Sequence, residues 1–461
     1  MKLHFLTKAG ANSVNKKIFR AALVVGILTL VARFGTIFKE LIVARFFGRG
    51  DALDAFLIAF LLPAFIVTIV TGTVGPSLIP VFVEVQQNQG RSAAEKLLSS
   101  MSLISAVVLG IAAICMGIFA PYYLPYVAHG FSQEKLHLTR ELMYPLLPWI
   151  VLSGTAQLIT YVLNAGEKFA LPALVPLVTP VIVVALIFFT RRNEGPFVLS
   201  AGALTGGFLE FSLLLGILKA HGLTLRTSWE GFDEHLRTVL RQCAPLLGGT
   251  FLMASTSVIN QSVATILPAG SVSAFAYASR IITGIIALGA VALSTATLPY
   301  FSRMVNEKDW AGCRHTLKRY SALLAFTTIP FTLIFIACSH PLVRILYQRG
   351  AFTAADTELV ARVQSFFAIQ IPFQMFCALL VRFISAMRRH DLIMYGAIIN
   401  VFINIVLDLM FVKKWGVSGI ALASSLVFVV SFVFLATASQ LILTRTSSAS
   451  LRILPFQQVG K

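Results

Sequence analysis

The sequence predicts an all-α integral membrane protein: about twelve transmembrane helices in two six-helix bundles, related by a pseudo-two-fold axis along the membrane normal. Three observations predict this. Of 461 residues, 57% are hydrophobic and only 12% are charged, with a mean hydropathy of +0.84, whereas a soluble domain carries about 25% charged residues. Apolar runs extend for about 20 residues or more without period-two alternation. In lipid the backbone must satisfy its own hydrogen bonds, so such runs are helices rather than barrel strands. Finally, the chain repeats: an offset of 219 residues places Ala55-Phe56 on Ala274-Phe275 and Pro80-Val81-Phe82 on Pro299-Tyr300-Phe301. Two like-oriented halves of this kind usually enclose a central cavity that opens to either side in turn.

Along the chain, residues 1–17 are polar and basic, and they lack the short apolar core and small-residue cleavage site of a signal peptide. They read as a cytoplasmic N-terminal segment. An N-terminal six-helix bundle over 18–220 follows, with spans at 18–45, 52–83, 97–126, 140–164, 169–190 and 197–218. A mixed polar stretch with Trp229, Glu230 and Asp233 reads as a cytoplasmic linker over 221–237. The C-terminal six-helix bundle, 238–443, holds spans at 238–267, 271–301, 316–340, 357–386, 392–412 and 417–443, and leaves a cytoplasmic tail at 444–461. Gly72, Gly75 and Pro76 are expected to break the second span, and Pro172, Pro176 and Pro180 the fifth.

Loop charge sets the orientation. Lys and Arg outside the spans are about twice as numerous on the side that holds the N-terminus, which places both termini in the cytoplasm. The formal charge of +18 is spread over short loop clusters with no basic stripe or arm. That argues against nucleic acid and for phospholipid headgroups or an anionic lipid-borne substrate. Cys115, Cys243, Cys313, Cys338 and Cys377 are far apart and form no CxxC, and the eight histidines are scattered, so neither a metal nor a cofactor is expected.

Ionisable residues inside spans carry the functional signal, because each costs about 2.5–3.5 kcal/mol at a helix centre. Arg33 is mid-span in the first helix, and Arg280 follows Phe275–Ser279 in the eighth, one from each half. An arginine fork donates two parallel hydrogen bonds and stays charged, which suits a phosphate or diphosphate. Asn260, Gln261 and Ser262 in the seventh span are candidates to extend such a lining, or to make ordinary interhelical hydrogen bonds. Lys39 lies near the end of its span, within snorkelling reach, and Glu40 lies seven residues after Arg33, on the same helix face. Asp54 opens the second span, where it serves either as a helix cap or as a substrate or gating group. Arg382 falls in the tenth span, and Asp408 is placed to cap Lys413 or Lys414. Glu210, alone in an apolar sixth span, is a candidate for ion or proton coupling.

Three stretches give the chain a family resemblance. VARFGTIFKELIVARFFGRGDALDAFLIAFLLP (Val31 to Pro63), LPAGSVSAFAYASRI (Leu267 to Ile281) and YQRGAFTAADT (Tyr347 to Thr357) resemble the signatures of the MurJ/MviN lipid II flippases. That family lies within the multidrug/oligosaccharidyl-lipid/polysaccharide exporter superfamily, and the likeness extends over nearly the whole chain. The resemblance implies a polyprenyl-diphosphate-linked saccharide as substrate, moved across the bacterial cytoplasmic membrane. It matches the family's central cations to Arg33, Lys39 and Arg280, its acid to Asp54, and a tenth-span cation to Arg382. The chain departs from the pattern in the second span, where Val67, Thr68 and the uncharged Thr71–Thr73 stretch replace an arginine pair and an acid. Ser279 replaces the acid before the eighth-span arginine, and the family typically adds two helices after the twelfth.

The expected function is therefore a flippase working by alternating access, with Arg33, Lys39 and Arg280 holding the diphosphate while the polyprenyl tail stays in lipid. Two alternatives stand beside it: an ion-coupled multidrug exporter of the same superfamily, and a transport-incompetent scaffold for cell-wall assembly. An enzyme acting on polyprenyl lipids would need a large polar loop with clustered carboxylates or histidines, and the sequence has none.

Overall fold

A computed structural model describes residues 26–166, 170–190, 195–225 and 231–453. The N-terminal segment 1–17, the first residues of the first span, Trp229 and Glu230 of the linker, and the end of the tail lie outside the described residues.

Every element among the described residues is helical. They are α1 (26–47), α2 (Asp51–Asn88), α3 (Arg91–Val127), α4 (Gln133–Met143), α5 (Leu147–Ala165), α6 (Ala170–Leu174), α7 (Val178–Thr190), α8 (Phe197–Ala220) and α9 (Glu234–Ala264). Then come α10 (Ser271–Asn306), α11 (Trp310–Ala337), α12 (Ser339–Tyr347), α13 (Ala354–Ala368), α14 (Gln370–Ala386), α15 (His390–Trp415) and α16 (Val417–Ile453). Among the described residues, 11 helical stretches are long and apolar enough to cross a membrane, and α1 supplies the helix expected as the first span. Their outward faces are apolar: Ile114, Ile118, Phe189, Phe326 and Phe402 are each more than half exposed, a surface suited to acyl chains and not to water.

Two turns of irregular helix mark where the chain departs from ideal α geometry. Tyr144–Leu146 joins α4 to α5 and Val175–Leu177 joins α6 to α7, each as a 3-10 turn with a proline near its start. The fifth span is thus interrupted at Pro176, as expected. The second span is not: α2 runs unbroken from Asp51 to Asn88 with Pro63, Pro76 and Pro80 inside it. A membrane helix accommodates proline when neighbouring helices and hydroxyls re-satisfy the freed backbone groups. Another boundary also differs from the sequence reading. Glu234 already begins α9, capped by the Asp233 carboxylate, which accepts from Leu236 N at 2.7 Å.

The chain divides into two compact units: residues up to Phe47 with Asp51–Ala254, and Gly48–Gly50 with Ser255–Lys461. In the first, α2 packs on α3 and α5, and α5 and α7 both pack on α8. Leu78, Phe82, Leu98, Met101 and Ile159 fill one buried cluster, and Leu109, Met116, Leu142, Leu146 and Ile150 another. The α7–α8 approach is close. A Cβ on Gly206 would lie 2.7 Å from the Thr179 Cα, so only a residue without a side chain fits there. In the second unit α10 packs on α13 and α14, α14 on α16, and α15 on α16. The three-residue turn Gly48–Gly50 belongs to this unit. Its Gly48 has φ +60°, and a Cβ there would meet the Ala351 carbonyl oxygen at 2.5 Å.

Candidate functional site

In the first unit the charges inside or at the ends of the spans sort into three groups. On α1, Arg33 is exposed, but it lies about 100–160° around the helix from the exposed apolar residues Ile27, Val31, Phe34 and Phe38, at 100° per residue. It therefore projects from a strip of α1 that is separate from the face suited to lipid. Lys39 is half-buried and pairs with the buried Glu40 at 3.0 Å.

The second group sits at the start of α2. Asp51 and Asp54 occupy its first turn, and Lys135 in the first turn of α4 reaches both, at 2.6 Å and 3.2 Å. The Asp54 side chain is 2% exposed and that of Lys135 10%. The ammonium also lies 3.9 Å from the centre of the Phe131 ring. Asp54 is thus an ion-pair partner of α4. Lys135 was not singled out by sequence, because it lies 81 residues away in a short polar helix whose approach only the fold reveals.

The third group is Glu210 on α8. Its carboxylate accepts a hydrogen bond at 3.1 Å from the backbone N–H of Thr179, the second residue of α7. The interruption at Val175–Leu177 creates a helix N-terminus inside the membrane, and an acid is the natural group to cap it. The second-span threonines are satisfied within α2: Thr68, Thr71 and Thr73 donate to the carbonyls of Ala64, Val67 and Ile69.

In the second unit Arg280 is exposed on α10, and Arg382 is half-buried on α14. The strip one turn beyond Arg280 is small and open, with Thr283 exposed and free space around Gly284. Asn260 belongs to a buried network. With its amide nitrogen toward the carboxylate, it donates to Asp408 Oδ2 at 2.8 Å and to Asn404 Oδ1 at 2.9 Å, and its oxygen lies 2.8 Å from the Ser424 hydroxyl. Asp408 and Asn404 are fully buried, and Asp408 Oδ1 has no hydrogen-bond partner among the described residues. Asp408 is thus a core acid and not a cap for Lys413 or Lys414, both of which are exposed. One helical turn separates Asn404 from Asp408 and likewise Ile420 from Ser424. That spacing brings an oxygen cluster together from α9, α15 and α16. The Asn260 amide nitrogen fills Asp408 Oδ2 and Asn404 Oδ1, so the position this network leaves open is Asp408 Oδ1, which suits a proton.

A second ionic contact fixes the α1–α2 turn in this unit. Arg49 Nε donates to Asp356 Oδ1 at 2.7 Å, and the other carboxylate oxygen accepts from Thr353 N in the capping box of α13. The Tyr277 hydroxyl donates to Gly48 O at 3.0 Å, and its ring packs with Tyr347 and Phe352. Two of the three signature stretches therefore meet the turn from the first: Tyr277 lies in one, and Tyr347, Phe352 and Asp356 lie in the other.

The family described as "Lipid II flippase MurJ" matches residues 43–451. A probable lipid II flippase MurJ of Vibrio cholerae is 25% identical over 427 residues, covering 90% of this chain and 81% of that protein. The corresponding Thermotoga maritima protein is 26% identical over 415 residues, covering 88% and 82%. Among solved structures, a lipid II flippase MurJ in an inward closed conformation aligns with a TM-score of 0.78 at 24% identity, covering 94% of this chain and 91% of that one. An inward-facing multidrug exporter of the wider superfamily aligns with 0.75 at 13% identity, covering 92% and 99%. These two likenesses establish the fold. The family match spans most of the chain, and the chain belongs to the lipid II flippase MurJ family, whose members are transporters and not enzymes.

Proposed function

We propose that this member of the family translocates a polyprenyl-diphosphate-linked saccharide, lipid II or a related cell-envelope precursor, across the bacterial cytoplasmic membrane by alternating access. Both termini lie in the cytoplasm, and two six-helix halves move about the connection between α8 and α9. Arg33 and Lys39 in the first half, and Arg280 and Arg382 in the second, provide the cations that meet the diphosphate. The observation that carries this reading is Arg33: an arginine within a membrane helix, exposed, on a strip apart from the apolar face of α1. A permanent charge in that position is costly unless water or an anion meets it. A diphosphate accepts the two parallel hydrogen bonds that a guanidinium donates. Each such charge-assisted contact contributes about 1.5–3 kcal/mol, which corresponds to roughly ten- to hundredfold in headgroup affinity.

Asp54 takes a different part in this account from a ligand contact: it ties α2 to α4 through Lys135. Asn260 joins Asn404, Asp408 and Ser424, and this oxygen cluster favours ion coupling as a second element of the mechanism. Binding a proton at Asp408 neutralises a buried carboxylate, so it biases whichever packing of α9, α15 and α16 accommodates that charge worst when empty.

Complementation tests the reading. The chain is expressed in a bacterium depleted of its own lipid II flippase, alongside Arg33→Ala and Arg280→Ala. Growth with the parent chain, lost in both variants at equal protein level, is the expected result. Full growth with both variants removes the cation assignment, and failure of the parent chain removes lipid II as the cargo.

A further inference from the structure

We infer that the first three turns of α11 seat the headgroup of an anionic phospholipid, on the side that the loop charges assign to the cytoplasm. The sequence around this point is basic: Arg303, Lys308, Arg314, His315, Lys318 and Arg319 stand against only Glu307 and Asp309. The Asp309 carboxylate is already used, capping α11 by accepting from Gly312 N at 2.8 Å. On α11 itself, Trp310, Ala311, Arg314, His315 and Lys318 line a surface groove of about 350 Å³. Arg314, His315 and Lys318 are exposed, and none has an ion-pair partner among the described residues. Arg314 supplies a guanidinium fork, Lys318 an ammonium one turn later, and Trp310 an indole N–H one turn earlier, so donors from one helix border an open groove that a phosphodiester can meet.

What distinguishes this groove from an ordinary solvated basic face is its continuation. Cys313 and Leu317, on the other side of the same turns, are buried in a cluster with Phe301 and Phe383, which fixes the basic side outward. At 100° per residue the outward side carries Ala311, His315 and Lys318, and then Ala322, Phe326, Ile329 and Leu333. Phe326 is 80% exposed, Ile329 45% and Leu333 63%. From Lys318 to Leu333 the helix rises about 22 Å, more than the roughly 15 Å half-thickness of a hydrocarbon core. One helix face thus offers the basic side chains His315 and Lys318 at its start and bare apolar surface beyond, in the order in which a phospholipid presents its phosphate and its acyl chains, while Trp310 flanks the groove and packs partly on the buried cluster.

Tryptophan quenching by brominated lipids tests this on the full chain in bilayers, in a Trp149→Phe/Trp229→Phe/Trp415→Phe background that leaves Trp310 as reporter. Bilayers are made with brominated-acyl phosphatidylglycerol or brominated-acyl phosphatidylcholine as the quenching lipid. The expected result is half-maximal quenching at a mole fraction at least threefold lower for the anionic lipid. That preference falls to about one in Arg314→Gln/Lys318→Gln, while quenching by the zwitterionic lipid stays as before. Equal quenching by the two lipids in the reporter chain overturns the inference, as does a preference that survives the double substitution. A further arm adds inorganic phosphate at millimolar concentration. Persistence of the preference supports a lipid seat, and its loss assigns the groove to free anions and overturns the lipid assignment.

Discussion

Replacing Lys135 by Met separates the two roles open to Asp54. In the folded chain the ammonium lies 2.6 Å from Asp51 and 3.2 Å from Asp54, with side-chain exposures of 62% and 2% for the two acids. The Asp51 contact is in solvent and contributes about 0–1 kcal/mol. The Asp54 contact is different: it is a buried ion pair, and removing one member of such a pair costs about 3–5 kcal/mol. The contact with the Phe131 ring contributes about 0.5–1 kcal/mol, and a methionine thioether beside the ring recovers part of it. Lys135→Met should therefore destabilise the first unit by about 3–6 kcal/mol. Lys135→Met/Asp54→Asn should cost at least about 2 kcal/mol less than the sum of the two single substitutions. Trp149 reports the change: its ring lies 4.8 Å from that of Phe60 on α2, and it serves as the sole tryptophan when Trp229, Trp310 and Trp415 are replaced by Phe. Denaturant unfolding in detergent, followed by its emission, gives the four corners of the cycle. Additive costs, or a Lys135→Met loss below about 1 kcal/mol, would mean that Asp54 is not held by this lysine. The acid would then return to the list of ligand contacts.

Three further sets of substitutions probe the other assignments. Gly206→Ala pushes a methyl against the Thr179 backbone and should cost about 1–3 kcal/mol. Gly216→Ala, which has open space around it, should be neutral or slightly stabilising; similar melting points for the two variants would refute the close α7–α8 approach. Glu210→Ala strands the Thr179 N–H inside the membrane and should cost about 1–3 kcal/mol, whereas Glu210→Gln keeps an acceptor and should retain most of the stability. Equal losses in the two would point to the charge, not the cap, as the contribution of Glu210. Arg49→Gln breaks the pair with Asp356 and should raise the rate of tryptic cleavage at the exposed Arg349 several-fold; an unchanged rate would show that the α1–α2 turn does not brace this segment.

How much of this was legible in the sequence depends on how locally each feature is encoded. The spans follow from hydropathy, a property of contiguous residues, and helices stand where the sequence puts them. Their ends were less legible: α11 begins at Trp310 and not near 316, because its first turns are basic and amphipathic and lie outside the apolar stretch that hydropathy detects. Proline was ambiguous for a related reason. Pro176 interrupts its helix and Pro76 does not, so residue type alone does not decide where a membrane helix breaks. Arg33 and Arg280 could be singled out because a charge in an apolar run is anomalous by itself. Lys135, the partner of Asp54, could not, since it is ordinary in its own surroundings and becomes notable only when distant helices meet; Asn260 stood out as a polar residue in its span, but not as the partner of Asp408. The spacing of Asn404 and Asp408, one turn apart in an apolar helix, was the one local clue to that cluster.

The central claim is that this chain moves a lipid-linked saccharide between leaflets with its membrane-embedded arginines. The most direct measurement is the fraction of lipid II that an impermeant lipid II-cleaving enzyme can reach at the outer surface of cells depleted of their own flippase. Expressing this chain should restore that fraction, and Arg33→Ala/Arg280→Ala, inserted in the membrane at the same level, should leave it at the depleted value. Restoration by the double variant, or none by the parent chain, would contradict it.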